Sequence, residues 1–149
     1  METKLRPEFV VSACLCGERV RYDGGGFNIP GLRLLAESGR AVPVCPECLG
    51  GLPTPRDPAE RQGDKMISCA GKDVTKAYTK GAETALYFAK LNHVDFAVMK
   101  AKSPSCGKGL IYDGTFTGNK IPGNGVTVEL LNANGIPVFT EDELDQLPL

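Results

Sequence analysis

Ala41-Val42-Pro43-Val44-Cys45-Pro46-Glu47-Cys48-Leu49-Gly50-Gly51-Leu52-Pro53-Thr54-Pro55-Arg56 is the stretch from which the fold can be read. Residues 41–44 are a short apolar run of strand character. The run from Cys45 to Arg56 cannot be a helix interior, because proline lacks the N–H and fixes φ, and a glycine pair makes continued helix costly. It is therefore read as a loop. It places a thiol where a strand ends, with Glu47 and a second thiol, Cys48, close behind.

The same arrangement recurs on both sides. Upstream, Phe9-Val10-Val11-Ser12-Ala13 reads as a buried, β-branched strand and stops at Cys14-Leu15-Cys16-Gly17. Downstream, Asp95-Phe96-Ala97-Val98-Met99-Lys100 reads as a third strand, followed by Ser103-Pro104-Ser105-Cys106-Gly107-Lys108. Helical signals separate the strands. Pro30 to Gly39 is a short helix with a glycine stop. Asp73 is the expected N-cap of the longest helix, to about Asn92, with Val74, Ala77, Tyr78, Ala82, Ala85, Leu86 and Ala89 as its apolar stripe. Tyr78 and Tyr87 are read there as packing residues. Gly123 to Gly125 open a further helix that Gly135 closes. Ile136-Pro137-Val138-Phe139 is a last strand, and Thr140-Glu141-Asp142-Glu143 fits a capping box on a terminal helix. Arg56 to Lys65 is read as exposed and polar, Met66 to Cys69 as a short extended segment, and Tyr112 to Gly118 as turn-rich.

Alternating strands and helices predict an α/β fold: one domain over residues 1–149, with a mainly parallel, Rossmann-like sheet flanked by helices. In such a sheet ligands bind at the carboxyl edge of the strands. Topology thus brings Cys14, Cys45 and Cys106 toward one edge, although they lie far apart in sequence.

The composition is that of a folded protein, 42% hydrophobic and 23% charged with a net charge of −1. A polymeric nucleic-acid partner is disfavoured, because the basic footprint such a partner requires is missing. There is no apolar run long enough to cross a membrane, and Met1 to Glu8 lacks the apolar core of a signal peptide. A cytoplasmic location is expected. In that reducing compartment six cysteines point to metal, cluster or thiol chemistry, not to a disulfide framework. Oligomeric state carries no signal.

Spacing alone leaves two cofactors open. Cys14, Cys16, Cys45 and Cys48 would suit a structural zinc ion in a small-molecule or nucleotide binding module without catalysis. An iron–sulfur cubane on three of the thiols would leave one iron open as a Lewis acid. A redox dithiol of Cys45 and Cys48 ranks below both, since Glu47 between them raises a thiol's pKa. His93, the sole histidine, is read as serving the carbonyls at the end of the long helix. Cys69 is read as a buried small hydrophobe. The triplet Gly24 to Gly26 is read as a surface loop or a place of close approach.

Taken together, several blocks resemble a small bacterial family, the thiouracil desulfurases, long labelled a domain of unknown function. They are Val11-Ser12-Ala13-Cys14-Leu15-Cys16-Gly17, Val20-Arg21-Tyr22-Asp23-Gly24, Cys45-Pro46-Glu47, Gly50 to Arg56, Gly71-Lys72-Asp73-Val74-Thr75, Ser103 to Gly107 and Tyr112-Asp113-Gly114-Thr115-Phe116. The resemblance implies a [4Fe–4S] cluster on Cys14, Cys45 and Cys106, with Glu47 and Ser103 as catalytic side chains. It implies non-redox, hydrolase-like conversion of 4-thiouracil to uracil and hydrosulfide, with the substrate's sulfur on the open iron. Cys16, Cys48 and Cys69 are then not ligands, and the partner is a small thiolated pyrimidine.

Overall fold

A computed structural model describes residues 7–27 and 29–149. The N-terminal segment read as lacking a signal core falls mostly outside them. Among the described residues, β1 (Phe9–Ser12), β2 (Ala41–Val44), β5 (Phe96–Met99) and β8 (Val138–Thr140) form one sheet in the order β2-β1-β5-β8. Every pairing in it is parallel, with Phe9 opposite Ala41 and Phe96, and Ala97 opposite Val138. The chain leaves β1 toward β2 on one side and returns to β5 on the other, which opens a crevice at the carboxyl ends.

Both faces of the sheet are covered, so its central strands are apolar except for Ser12 at the end of β1. On one face Val10, Ala97 and Met99 pack with Ala85 and Ala89 of α3 (Thr75–Leu91) and with Val128 and Leu131 of α4 (Val126–Ala133). On the other, Phe9, Val11, Phe96 and Val98 pack with Leu32 of α1 (Pro30–Glu37). Phe9 and Phe96 stack there at 4.7 Å, and Phe139 meets Phe96 edge-on at 5.8 Å. Gly39 and Gly135 follow α1 and α4 with φ near +80°, the left-handed turn that glycine adopts without strain.

The structure departs from expectation at several places. Asp73 is not the N-cap of α3, which starts at Thr75; its carboxylate instead accepts the Thr75 N–H at 2.9 Å in an Asx turn. Tyr87 is exposed, not packed. The polar run after Arg56 is a hairpin of β3 (Ala59–Gln62) and β4 (Lys65–Ser68), and the turn-rich region holds a second, β6 (Leu110–Tyr112) with β7 (Lys120–Pro122). Cys69 is exposed, because the chain turns outward after β4 instead of continuing into the core. Gly26 does mark a close approach, but to the chain itself: a Cβ there would stand 2.3 Å from the Glu18 carbonyl oxygen. The terminal segment is a 3-10 stretch, Glu141–Gln146, and both bonds of the expected capping box form at Thr140.

Candidate active site

The loop after β2 is not featureless. Its first residues wind into one helical turn, α2 (Pro46–Leu49), with Cys45 as its cap. Proline is tolerated at the first helical position because that N–H has no intrahelical acceptor to lose. This turn lies hard against α3 through two glycines. A Cβ on Gly50 would sit 1.9 Å from the Ala77 carbonyl oxygen, and one on Gly81 would sit 1.8 Å from that of Pro46. The close crossing sets Glu47 against Tyr78, whose buried hydroxyl donates to Glu47 Oε2 at 2.6 Å.

Arg56, at the far end of the loop, closes on the same oxygen. Its Nε lies 3.3 Å from Glu47 Oε2, and the two side chains are only 6% and 17% exposed. The guanidinium also donates to the Val20 carbonyl at 2.9 Å and the Pro53 carbonyl at 3.1 Å. Burial works against the Arg56 charge, and the Glu47 carboxylate more than offsets it, so the arginine's pKa is raised. Burial, then the Glu47 charge, raises that of Tyr78, which keeps it a neutral donor. One carboxylate oxygen is thereby held from two sides.

The third loop is organised by Ser103. Its Oγ accepts the N–H groups of Ser105 and Cys106, both at 3.0 Å, and so fixes the turn that carries Cys106. Ser105 points away and pairs with Thr127 at 2.7 Å, while Gly125 lets the start of α4 approach the Ser105 carbonyl. Ser12, the last residue of β1, accepts the Lys100 N–H at 2.9 Å and ties the ends of β1 and β5 together. The C-terminal 3-10 segment braces this loop from outside. Glu141 pairs with Lys100 at 2.8 Å and accepts the Ala101 N–H, and Glu143 pairs with Lys108 at 2.9 Å.

These three chain segments surround one cavity of about 480 Å³, and Cys14, Cys45, Cys106, Glu47 and Ser103 all line it. Cys16 and Cys48 do not. The Cys16 sulfur faces the Leu32 carbonyl at 3.8 Å, and that of Cys48 lies 3.5 Å from Thr54 Oγ1. The four-cysteine set suited to zinc is therefore not assembled. Among the described residues no three of His, Cys, Asp and Glu gather closely enough to hold a single ion. A cubane is different, since each cysteine addresses its own iron. Without a cation, burial pushes the Cys14 thiol up to about 11 and that of Cys45 up to about 12. Cys106 is raised further by burial, opposed by a hydrogen bond from Ser12. Three neutral, soft donors lining one cavity are a fitting set for iron, which would take the place of their protons.

Two site residues carry roles that the sequence does not announce. Tyr78 does pack, yet its hydroxyl serves Glu47; a buried tyrosine needs a partner, and that requirement is the available signal. Arg56 stands in the right loop, and nothing in its spacing assigns it a carboxylate. Of the segment Gly50 to Arg56, only Arg56 lines the cavity; Gly50 is needed for the contact with α3. His93 follows the C-cap of α3 in a left-handed conformation, φ 52°, and is not among the cavity-lining residues.

A family model described as 2-thiouracil desulfurase matches residues 9–143. The chain is 42% identical over 148 residues to protein YbbK of Bacillus subtilis (strain 168), covering 93% of this chain and 98% of that one. Among solved structures it is similar to the [4Fe–4S]-dependent thiouracil desulfidase TudS, with a TM-score of 0.91, 48% identity and 95% of each chain covered.

Proposed function

The chain belongs to the 2-thiouracil desulfurase family, and from that premise we propose that it is a [4Fe–4S]-dependent enzyme that removes sulfur from small thiolated pyrimidines, converting 4-thiouracil to uracil and hydrosulfide. The observation that carries this reading is the convergence of three thiols from three strand ends, with Glu47 and Ser103, on one cavity. The whole chain serves as one desulfurase domain, in keeping with the family match over residues 9–143. All six cysteines are free thiols, which suits a reducing cytoplasm. The net charge of −1 favours a small substrate over a polymer. No helix among the described residues is long and apolar enough to cross a membrane.

Cys14, Cys45 and Cys106 would hold the cluster, which when bound supplies a Lewis-acidic iron with a soft affinity for thiocarbonyl sulfur. Glu47 is the general acid/base. Its Oε2 is fixed by Tyr78 and Arg56, and its Oε1 takes the proton of a water that attacks the ring carbon. The C–S bond then breaks, sulfur departs as hydrosulfide, and the carbon keeps the oxygen of water. The Ser103 hydroxyl spends its lone pairs on two backbone N–H groups, so its own proton is the one it offers to the substrate.

Anaerobic assay of reconstituted protein with 4-thiouracil and thiolated nucleosides tests the reading. Iron and acid-labile sulfide in about equal amount, with sulfide released from substrate, are expected. Glu47→Ala should keep its iron and lose turnover by roughly 100-fold or more. Each of Cys14→Ser, Cys45→Ser and Cys106→Ser should lose cluster. Zinc in place of iron, with no sulfide release, would refute the proposal.

A further inference from the structure

The block Tyr112-Asp113-Gly114-Thr115-Phe116 starts at the last residue of β6, runs into the loop before β7, and lines the same cavity through Tyr112 and Phe116. Phe116 is unusual twice over. Its backbone is left-handed, φ 57°, a conformation that a bulky side chain rarely adopts, and its side chain is 38% exposed. Burial therefore does not account for the strain.

The neighbouring chain imposes this conformation. Glu60 Oε1, from β3, accepts the N–H groups of Gly114 at 3.0 Å and Phe116 at 3.2 Å. Gln62 donates to the Gly114 carbonyl at 2.9 Å. Inside the loop Asp113 accepts from the N–H and the hydroxyl of Thr115, and that hydroxyl also meets Thr117 at 2.6 Å. The two hairpins are thus locked together, and what they present at the cavity is a rigid aromatic residue. Strain that surrounding structure over-determines at a cavity wall is a mark of a working position.

We propose that Phe116 is the platform on which the pyrimidine ring of the substrate stacks. The inference rests on the desulfurase reading and assigns one determinant of its substrate affinity. A thiolated pyrimidine has a polarisable π face, and an aromatic platform binds such a face whatever groups decorate the edge. Glu60 is a positioning residue for the platform.

The test uses reconstituted holoprotein and 4-thiouracil. Phe116→Leu keeps apolar bulk without a π face, and Phe116→Gly removes the ring along with the backbone strain. Both should raise KM, by roughly 5- to 100-fold, and keep kcat within about twofold with the iron content of wild type. Phe116→Tyr restores the platform and should bring KM back toward wild type. Phe116→Gly should hold its Tm to within about 4 °C of wild type, which separates substrate binding from folding. An unchanged KM in folded, iron-loaded Phe116→Leu and Phe116→Gly overturns the proposal. A wild type that releases no sulfide sinks the desulfurase reading instead, and stacking is then read directly. The chain has no tryptophan, so Phe116→Trp carries a single indole. Saturable quenching of that indole by 4-thiouracil supports the platform, and its absence overturns it.

Discussion

Replacing Gly81 by alanine is a severe test of how the site is built. In an exposed helix the change should stabilise, by about 1 kcal/mol, because alanine loses less conformational freedom. Here the added methyl would lie 1.8 Å from the Pro46 carbonyl oxygen and 2.7 Å from its carbon. Both are backbone atoms, so no side-chain rotation relieves the clash. The helical turn α2 must withdraw from α3 by more than about 1 Å, and with it go Cys45, Glu47 and the bond from Tyr78. Overpacking of this kind costs about 1–3 kcal/mol, against the propensity gain of about 1. The net loss is up to about 2 kcal/mol, read as a fall in Tm of a few degrees. The larger effect is on turnover, since a displacement of about 1 Å at a reacting group is worth roughly 100-fold. Sulfide release from 4-thiouracil by reconstituted protein, with iron content and thermal unfolding alongside, is the assay. Gly31→Ala is the control: that glycine lies in α1, no atom stands within 4 Å of the place its methyl would take, and alanine there should leave activity intact. Gly81→Ala protein with wild-type sulfide release and an equal or higher Tm would refute the close crossing as the device that seats Glu47.

The geometry sets three further outcomes. Tyr78→Phe removes a 2.6 Å bond to a carboxylate and should cost about 1.5–3 kcal/mol in denaturant unfolding, with kcat lowered and iron content kept. Ser103→Ala leaves the N–H groups of Ser105 and Cys106 without their acceptor, so cluster loading should fall together with turnover, whereas Ser103→Thr should keep the loading. Cys48→Ser, outside the cavity, should leave sulfide release within about twofold of wild type; a loss beyond tenfold would return Cys48 to the site.

The parallel sheet was legible because its strands are buried on both faces and read as apolar runs, Phe9 to Val11 and Phe96 to Met99 among them. Glycine stops at Gly39 and Gly135 marked two helix ends for a backbone reason that context does not override. The thiols at Cys14, Cys45 and Cys106 could be brought to one edge by topology alone. The hairpins were not legible. Ala59 to Gln62 carries Glu60, Arg61 and Gln62, whose partners lie some fifty residues or more away, in the β6–β7 loop and at the start of α4. Polar strands with distant partners show no local alternation. Tyr78 was hidden differently. Its helical spacing correctly marked the buried face, and spacing says nothing about what the hydroxyl meets. Cys69 was misplaced because its apolar neighbours Met66 and Ile67 belong to a strand that ends one residue before it.

The brace formed by Glu141 and Glu143 has a bearing on how the protein is made. The loop that carries Ser103 and Cys106 is held from outside by Glu141 and Glu143, some forty residues downstream, and β5 gains its second neighbour only from β8. During synthesis these residues leave the ribosome after the loop and the three strands that they complete. A nascent chain can therefore close the β1–β2–β5 core while its third thiol still rests on an unbraced loop. The loop settles only after Glu141 and Glu143 have emerged, and a truncation that removes these two residues acts on it directly.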